Sequence, residues 1–390
     1  MASLNDARSY ELDPCDRVLT YSGHTPSQSA IRYRGRFCRI VMSQSAVHEH
    51  MTAASIREYR DMTIAGREQS AWRLNYMDED GWWANGREHH TFAIIFGTWW
   101  NDDPLMQTTG QGLGFIRGGA HIWSALRAEN ALYRGGGGRR ECWVNGADHL
   151  ARRSHFGSLQ YLHFMTAMDS KNNSQREARV DTTIDVSLKW LHFAFDVATG
   201  RTAPGESLTE EMEVDVGLPS LSQNYCEPRK NIKVRTLFSV QGHHWSVRDV
   251  RTPDIALGSM LHILQDSFSP SHTCRISEVS GDKEQALLFD VENYAQQVAS
   301  DHALLDKFPR WFLDNLRNGA HQFENDPVIA GAWLLSAVDR RLEWSEVESY
   351  LRRTIFAKAA ATGHTSALRC IGRDESTDAE APHSGNNALH

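Results

Sequence analysis

The chain has 390 residues, of which 41% are hydrophobic and 23% charged, with a formal net charge of -8 and a sequence pI near 6.2. This composition belongs to a globular protein long enough to bury a sizeable core. It argues against the basic face of a duplex-DNA binder. No run approaches the roughly 18 apolar residues of a membrane-spanning helix, and residues 1–13 lack the basic-then-apolar pattern of a secretory signal. The expectation is a chain that meets a membrane, if at all, from solution.

In chain order, residues 51–68 are expected to form a helix, with Thr52 near its start and Ala53, Ile56 and Tyr59 at helical spacing. The apolar run 91–97 reads equally as helix or strand. Residues 107–145 are glycine-rich, including Gly135 to Gly138, and read as loops. A helical pattern returns from Leu150 through Leu159, Leu162, Met165 and Met168. Another spans 180–198, with Ile184, Leu188, Leu191 and Phe195 on one face and Gly200 as its stop.

Residues 205–249 carry Pro219 and Pro228, and the stretch KVRTLFSV (233–240) alternates like a strand. From Pro253 onward helices are expected at 255–267, 283–305, 309–317, 328–341 and 345–360. The fold class is therefore mainly α. One domain is expected over 40–365, with insertions near 104–150 and 205–249 and a disordered polar tail at 374–390. The six cysteines, Cys15, Cys38, Cys142, Cys226, Cys274 and Cys370, are scattered with no CxxC pair, and are expected to be reduced.

Nineteen histidines and twelve tryptophans stand out. The most informative stretch is LGSMLHILQDSFSPSHT (257–273). His262 and Asp266 lie four apart on one helical face, so imidazole and carboxylate can grip one ion. His272 follows after Pro270 has stopped the helix and can turn back. His302 and Asp306 repeat the spacing of four. Histidine nitrogens and carboxylate oxygens together suit zinc. A single such pair is usually just a helical hydrogen bond; two pairs with an intervening histidine point to metal. No G-x-S-x-G elbow appears, and GFIRGG and RGGGGRR lack the context of a phosphate-binding loop.

The order H-x3-D-x5-H followed by H-x3-D resembles the zinc-dependent phospholipase C and S1/P1 nuclease superfamily, and the wording of 257–273 is more like its phospholipase C branch. The resemblance implies a phospholipase C/P1 nuclease-like helical domain holding two to three zinc ions. It implies further ligands: Asp102 (alternatively Asp103) in TWWNDDP, His155 in SHF, and His48 (alternatively His50) in AVHEHM. One zinc would be held by Asp102, His155, His262 and Asp266. A second would be held by His272, His302 and Asp306, and a third by His48 with Asp266 bridging. Two features depart from the family, whose secreted members complete one zinc with their N-terminal tryptophan: His48 lies far inside the chain with no cleavable signal expected before it, and about fifty residues separate Asp102 from His155. Of the pairs His89–His90 and His243–His244, and of His163 and His192, most read as core or surface residues, with one or two open to a role supporting the zinc ligands.

The implied chemistry is metal-assisted attack of water on a phosphate ester, with Asp102 as the candidate general base. The expected substrate is a glycerophospholipid, chiefly phosphatidylcholine, at a membrane surface. A single-strand nuclease or 3′-nucleotidase, and a non-catalytic zinc-stabilised binding protein, are the alternatives. Trp99 and Trp100, beside Asp102, suit either base stacking or a choline cation. A phospholipase without a signal would reach its target by a signal-independent route, as an effector, or stay in the cytoplasm.

Overall fold

The computed structural model describes residues 47–64, 90–98, 100–102, 154, 159–167, 175–209, 212, 233–238, 245–280, 283–294, 297, 305, 309–318, 320–359 and 369–373. Expectations for 103–150, for His155, His302 and Asp306, and for the tail at 374–390 lie outside these residues. The described part is mainly helical with one small two-stranded sheet.

The helices are α1 (Val47–Ile64), α2 (His90–Thr98), α3 (Arg176–Thr199), the single turn α4 (Val234–Leu237), α5 (Trp245–Asp266), α6 (Arg310–Asn318), α7 (Pro327–Asp339) and α8 (Trp344–Tyr350). The last continues as a wider helical turn, Leu351–Ile355. Strands β1 (Thr273–Ser280) and β2 (Lys283–Val291) pair antiparallel, with an irregularity between Cys274 and Arg275.

Helix α5 is central and packs on α1, α2, α3 and α7. Its length from Ile255 to Leu264 is buried, as expected of a helix walled on every side. Two glycines set its distance from α2. A Cβ on Gly258 would sit 2.1 Å from the Ile94 carbonyl oxygen, and one on Gly97 would sit 2.5 Å from that of Ile255. The backbones therefore touch where any larger residue would hold them apart.

The terminal signals act as their chemistry predicts. Gly200 closes α3 in the left-handed conformation at φ 77°. Asp326 caps α7 by accepting from the amides of Val328 and Ile329, with Pro327 opening the helix.

Four expectations are corrected. Helix α5 begins at Trp245, so Pro253 lies inside it; the ion pair of Asp249 with Arg235 and the burial of Arg251 and Thr252 tie down the turns before it. Residues 283–291 form a strand where helix is expected. Their helix-forming residues are overridden by pairing with β1 on one side and by backbone bonds from Leu288 to Ala357 and Ala359 on the other. The stretch at 233–240 holds a helical turn: Val234, Leu237 and Phe238, which are buried, follow the i, i+3, i+4 rule. Among the described residues of the helix expected from Leu150 to Met168, Gln160–His163 form one 3-10 turn, ended by Phe164 in the left-handed region at φ 49°.

Cys274 and Cys370, 96 residues apart, form a disulfide, against the expectation of reduced thiols. Their spacing carries no signal because β1 and the segment 369–373 meet only in the folded chain.

Candidate metal centre

Four segments bring imidazoles to one carboxylate, that of Asp266 at the end of α5. His262 lies one turn earlier on the same face, its Nε2 2.7 Å from Asp266 Oδ2. After Asp266 the chain reverses through bonds from the amides of Ser269 to Asp266 O and of His272 to Ser269 O. The reversal returns His272 so that its Nδ1 is 3.3 Å from the same oxygen. The Glu292 amide, just beyond β2, holds the His272 carbonyl at 2.7 Å.

His163 closes the 3-10 turn. The left-handed Phe164 after it bends the chain away and leaves its Nδ1 3.0 Å from Asp266 Oδ2 and 3.1 Å from His262 Nε2. From α1, His48 approaches the other carboxylate oxygen, with Nε2 3.3 Å from Asp266 Oδ1. Its ring stacks on that of His262, with centroids 4.0 Å apart. Three imidazole nitrogens thus surround one oxygen of Asp266 and a fourth faces the other.

Hydrogen bonds behind the rings fix which nitrogens carry protons. His262 Nδ1 is 2.6 Å from the Thr98 carbonyl oxygen, which can only accept, so the ring proton sits on Nδ1. The Nε2 lone pair of neutral His262 therefore points at a carboxylate oxygen that is also a lone-pair donor. Two acceptors at 2.7 Å repel unless a cation or an added proton lies between them. Burial opposes the added proton: it pushes the pKa of His262 down, and that of His163 likewise, against the pull of Asp266. Asp266 behaves oppositely. Burial pushes its carboxyl up, but His262, His272 and His48 outweigh that and hold it well below the usual carboxylate range. Imidazoles that burial keeps from charging, His163 and His262, beside an ionised carboxylate are a donor set that suits zinc, and the Thr98 carbonyl orients His262 as such partners orient metal-bound histidines.

Asp102 marks the solvent side. Trp100 Nε1 donates to the Leu237 carbonyl. Asn101, fully buried, donates to the carbonyls of Leu162 and Ser259 and accepts from the Ser259 hydroxyl. The next residue, Asp102, is half exposed, with Oδ1 3.9 Å from His163 Nδ1. Ligand atoms of His48, Asp102 and His262 lie within 4.8 Å of one another, as do those of His163, His262 and Asp266.

The structure thus brings together His48, Asp102, His262, Asp266 and His272 from the expected ligands. Asp103, His155, His302 and Asp306, and the side chain of His50, lie outside the described residues, as do Trp99, His89, the side chain of His90 and the pair at 243–244. His163, read from the sequence as a core or surface residue, stands inside the cluster; nothing in the spacing of QYLHF marks it. His272, assigned to a different ion from both of those expected at Asp266, lies directly against it. Trp100 is not a pocket wall: it is 1% exposed and stacks on Trp190 at 5.0 Å between ring centres. His192 is a surface residue stacked on Trp344.

Compared with family models, with curated proteins and with solved structures, the chain finds no match.

Proposed function

We propose that this chain is a zinc-dependent phosphodiester hydrolase, and specifically a phospholipase C that splits glycerophospholipids, phosphatidylcholine first among them, into diacylglycerol and a phosphorylated head group. The observation that supports this reading best is the convergence of four imidazoles on the Asp266 carboxylate, with the Nε2 lone pair of His262 aimed at it. His48, Asp102, His163, His262, Asp266 and His272 would hold the metal, with Asp266 using one oxygen toward His48 and the other toward the remaining rings. The chemistry such a zinc would supply is positive charge for the phosphate oxygens and a water acidic enough to ionise near neutral pH.

The chain's own residues do the rest. Asp102, half exposed at the rim, orients the attacking water and accepts its proton. The buried network beneath it, Asn101 with Ser259 and Trp190, keeps it in place. A rim open to solvent on this side suits a catalytic rather than a purely structural site, because a catalytic site keeps a position for water. No described helix is long and apolar enough to cross a membrane, so the lipid would be met at a membrane surface.

The test is a paired assay on the purified chain with its metal counted: phosphatidylcholine vesicles beside single-stranded DNA and a 3′-nucleotide. The expected outcome is two to three zinc ions per chain and release of phosphocholine and diacylglycerol, abolished by a chelator and restored by zinc. DNA or nucleotide cleavage without lipid hydrolysis would reassign the site to a nuclease. Bound zinc with no hydrolysis of any of them would make it a structural centre.

A further inference from the structure

Metal ligands are only as good as the groups that turn them, and His48 is turned by a residue that no metal-ligand pattern singles out. Gln265 precedes Asp266 on α5 and is 3% exposed. Its Oε1 lies 2.9 Å from His48 Nδ1. Its Nε2 donates at 2.8 Å to the Thr52 hydroxyl, one turn after His48 on α1. With the amide nitrogen committed to Thr52, the oxygen faces the ring and accepts from Nδ1–H. The His48 lone pair then lies on Nε2, the atom 3.3 Å from Asp266 Oδ1. The Thr98 carbonyl does the same for His262 on the other carboxylate oxygen. Two carbonyl oxygens, one from the backbone and one from a side chain, thereby aim two stacked rings at the two oxygens of one aspartate.

We infer that Gln265 is a positioning residue for metal binding: it fixes the tautomer and rotation of His48 and so sets the affinity of the metal position shared by His48 and Asp266. The inference rests on the metal reading of the site. It also explains how a histidine from α1 keeps its orientation although it is itself partly exposed, with 18% of its side chain accessible. Carbonyl partners of this kind typically change metal affinity by about 10- to 100-fold when removed.

The experiment titrates zinc against a chelator on the full-length chain in its parent form and as Gln265→Met, Gln265→Glu, His48→Ala and the double variant His48→Ala/Gln265→Met. Methionine keeps the volume and removes the acceptor; glutamate keeps an acceptor for Nδ1–H. The expected result is that Gln265→Met weakens one zinc by about 10- to 100-fold and leaves the others unchanged. Gln265→Glu should stay close to the parent, and the double variant should bind no worse than His48→Ala alone. Thr52→Val, which releases the amide without touching the ring's acceptor, should give a smaller loss at the same zinc and serves if Gln265→Met fails to fold. Parent-like affinity in Gln265→Met, or additive losses in the double variant, would overturn the proposal.

If the parent chain binds no zinc at micromolar free metal, the metal reading fails, and the positioning claim is judged separately. Proton–nitrogen correlation of the histidine-labelled chain then reads the His48 ring: a proton on Nδ1, shifted by Gln265→Met, keeps the claim, and a proton on Nε2 rejects it.

Discussion

Two carboxylates of this chain sit buried against histidine, and they do opposite things. Asp326 accepts from the Val328 and Ile329 amides on Oδ1 and from Asn315 Nδ2 and His321 Nδ1 on Oδ2. Its oxygens are met by N–H donors, so the group is a helix cap with a histidine attached. Asp266 instead faces ring nitrogens, and the one on His262 has its proton turned the other way, onto Thr98. The titration directions follow. The hydrogen bond to Asp326 raises the pKa of His321, against its partial burial, whereas burial lowers those of His163 and His262. What separates a candidate metal centre from a structural ion pair is therefore where the ring protons point, rather than which residue types are present.

The sharpest way to break the comparison is to neutralise each carboxylate. Asp266→Asn should remove zinc bound at His48, His163, His262 and His272 and lower any hydrolysis by at least about 100-fold, since a carboxylate that all four rings face matters more than a partner that orients one ring. Asp326→Ala should leave the zinc count unchanged and cost about 1 kcal/mol through the lost cap. Metal analysis with thermal melts of both variants checks this. Equal zinc loss in the two would erase the distinction.

The disulfide gives the next largest effect. Cys274–Cys370 fastens the segment 369–373, whose Ile371 amide bonds Arg275 O and whose Arg373 reaches Pro270 O and Glu292, across the turn that carries His272. Cys370→Ser should lower stability by about 2–4 kcal/mol, read by denaturant unfolding. The zinc count should hold, because the backbone bonds of His272 to Ser269 and Glu292 remain. Gly258→Ala should cost about 1–3 kcal/mol, because its Cβ meets backbone rather than a movable side chain. It should also weaken zinc, since separating α5 from α2 draws the Thr98 carbonyl away from His262. Unaltered zinc affinity in a destabilised Gly258→Ala would show that the tautomer of His262 needs no such partner.

How much of this was legible in the sequence depended on whether the information was local. The pair His262–Asp266 follows from four-residue spacing, and His272 from the proline stop that precedes it. Helix α3 follows from its apolar face and Gly200. His48 and Asp102 come only through a resemblance, because their partners lie more than 150 residues away on α5. His163 was invisible: a 3-10 turn and a left-handed Phe164 aim it, and neither leaves a periodic trace. The misread strand at 283–291 and the unexpected disulfide have the same cause. Each is decided by a neighbour brought in by the fold, Ala357 and Ala359 for β2 and β1 for Cys370, and local composition does not record it.

The smallest effect separates the two histidine sites by pH. His163 and His262 titrate below their unfolded value of 6.5. Between that value and the folded one the unfolded chain binds more protons, so their share of stability is complete above pH 6.5 and declines as pH falls. Protons also compete for the same lone pairs as zinc, so metal should leave over the same range. His321 titrates above 6.5, so its share is complete below pH 6.5 and is lost as pH rises through the raised folded value. Melts of the metal-free parent chain and of His321→Ala from pH 5 to 9 test both statements. The parent should weaken toward acid, while its margin over His321→Ala should be widest at the acid end and close toward the alkaline end. A margin that widened toward high pH would mean that His321 acts through something other than its charge on Asp326, and the contrast drawn from the two carboxylates would lose its electrostatic basis.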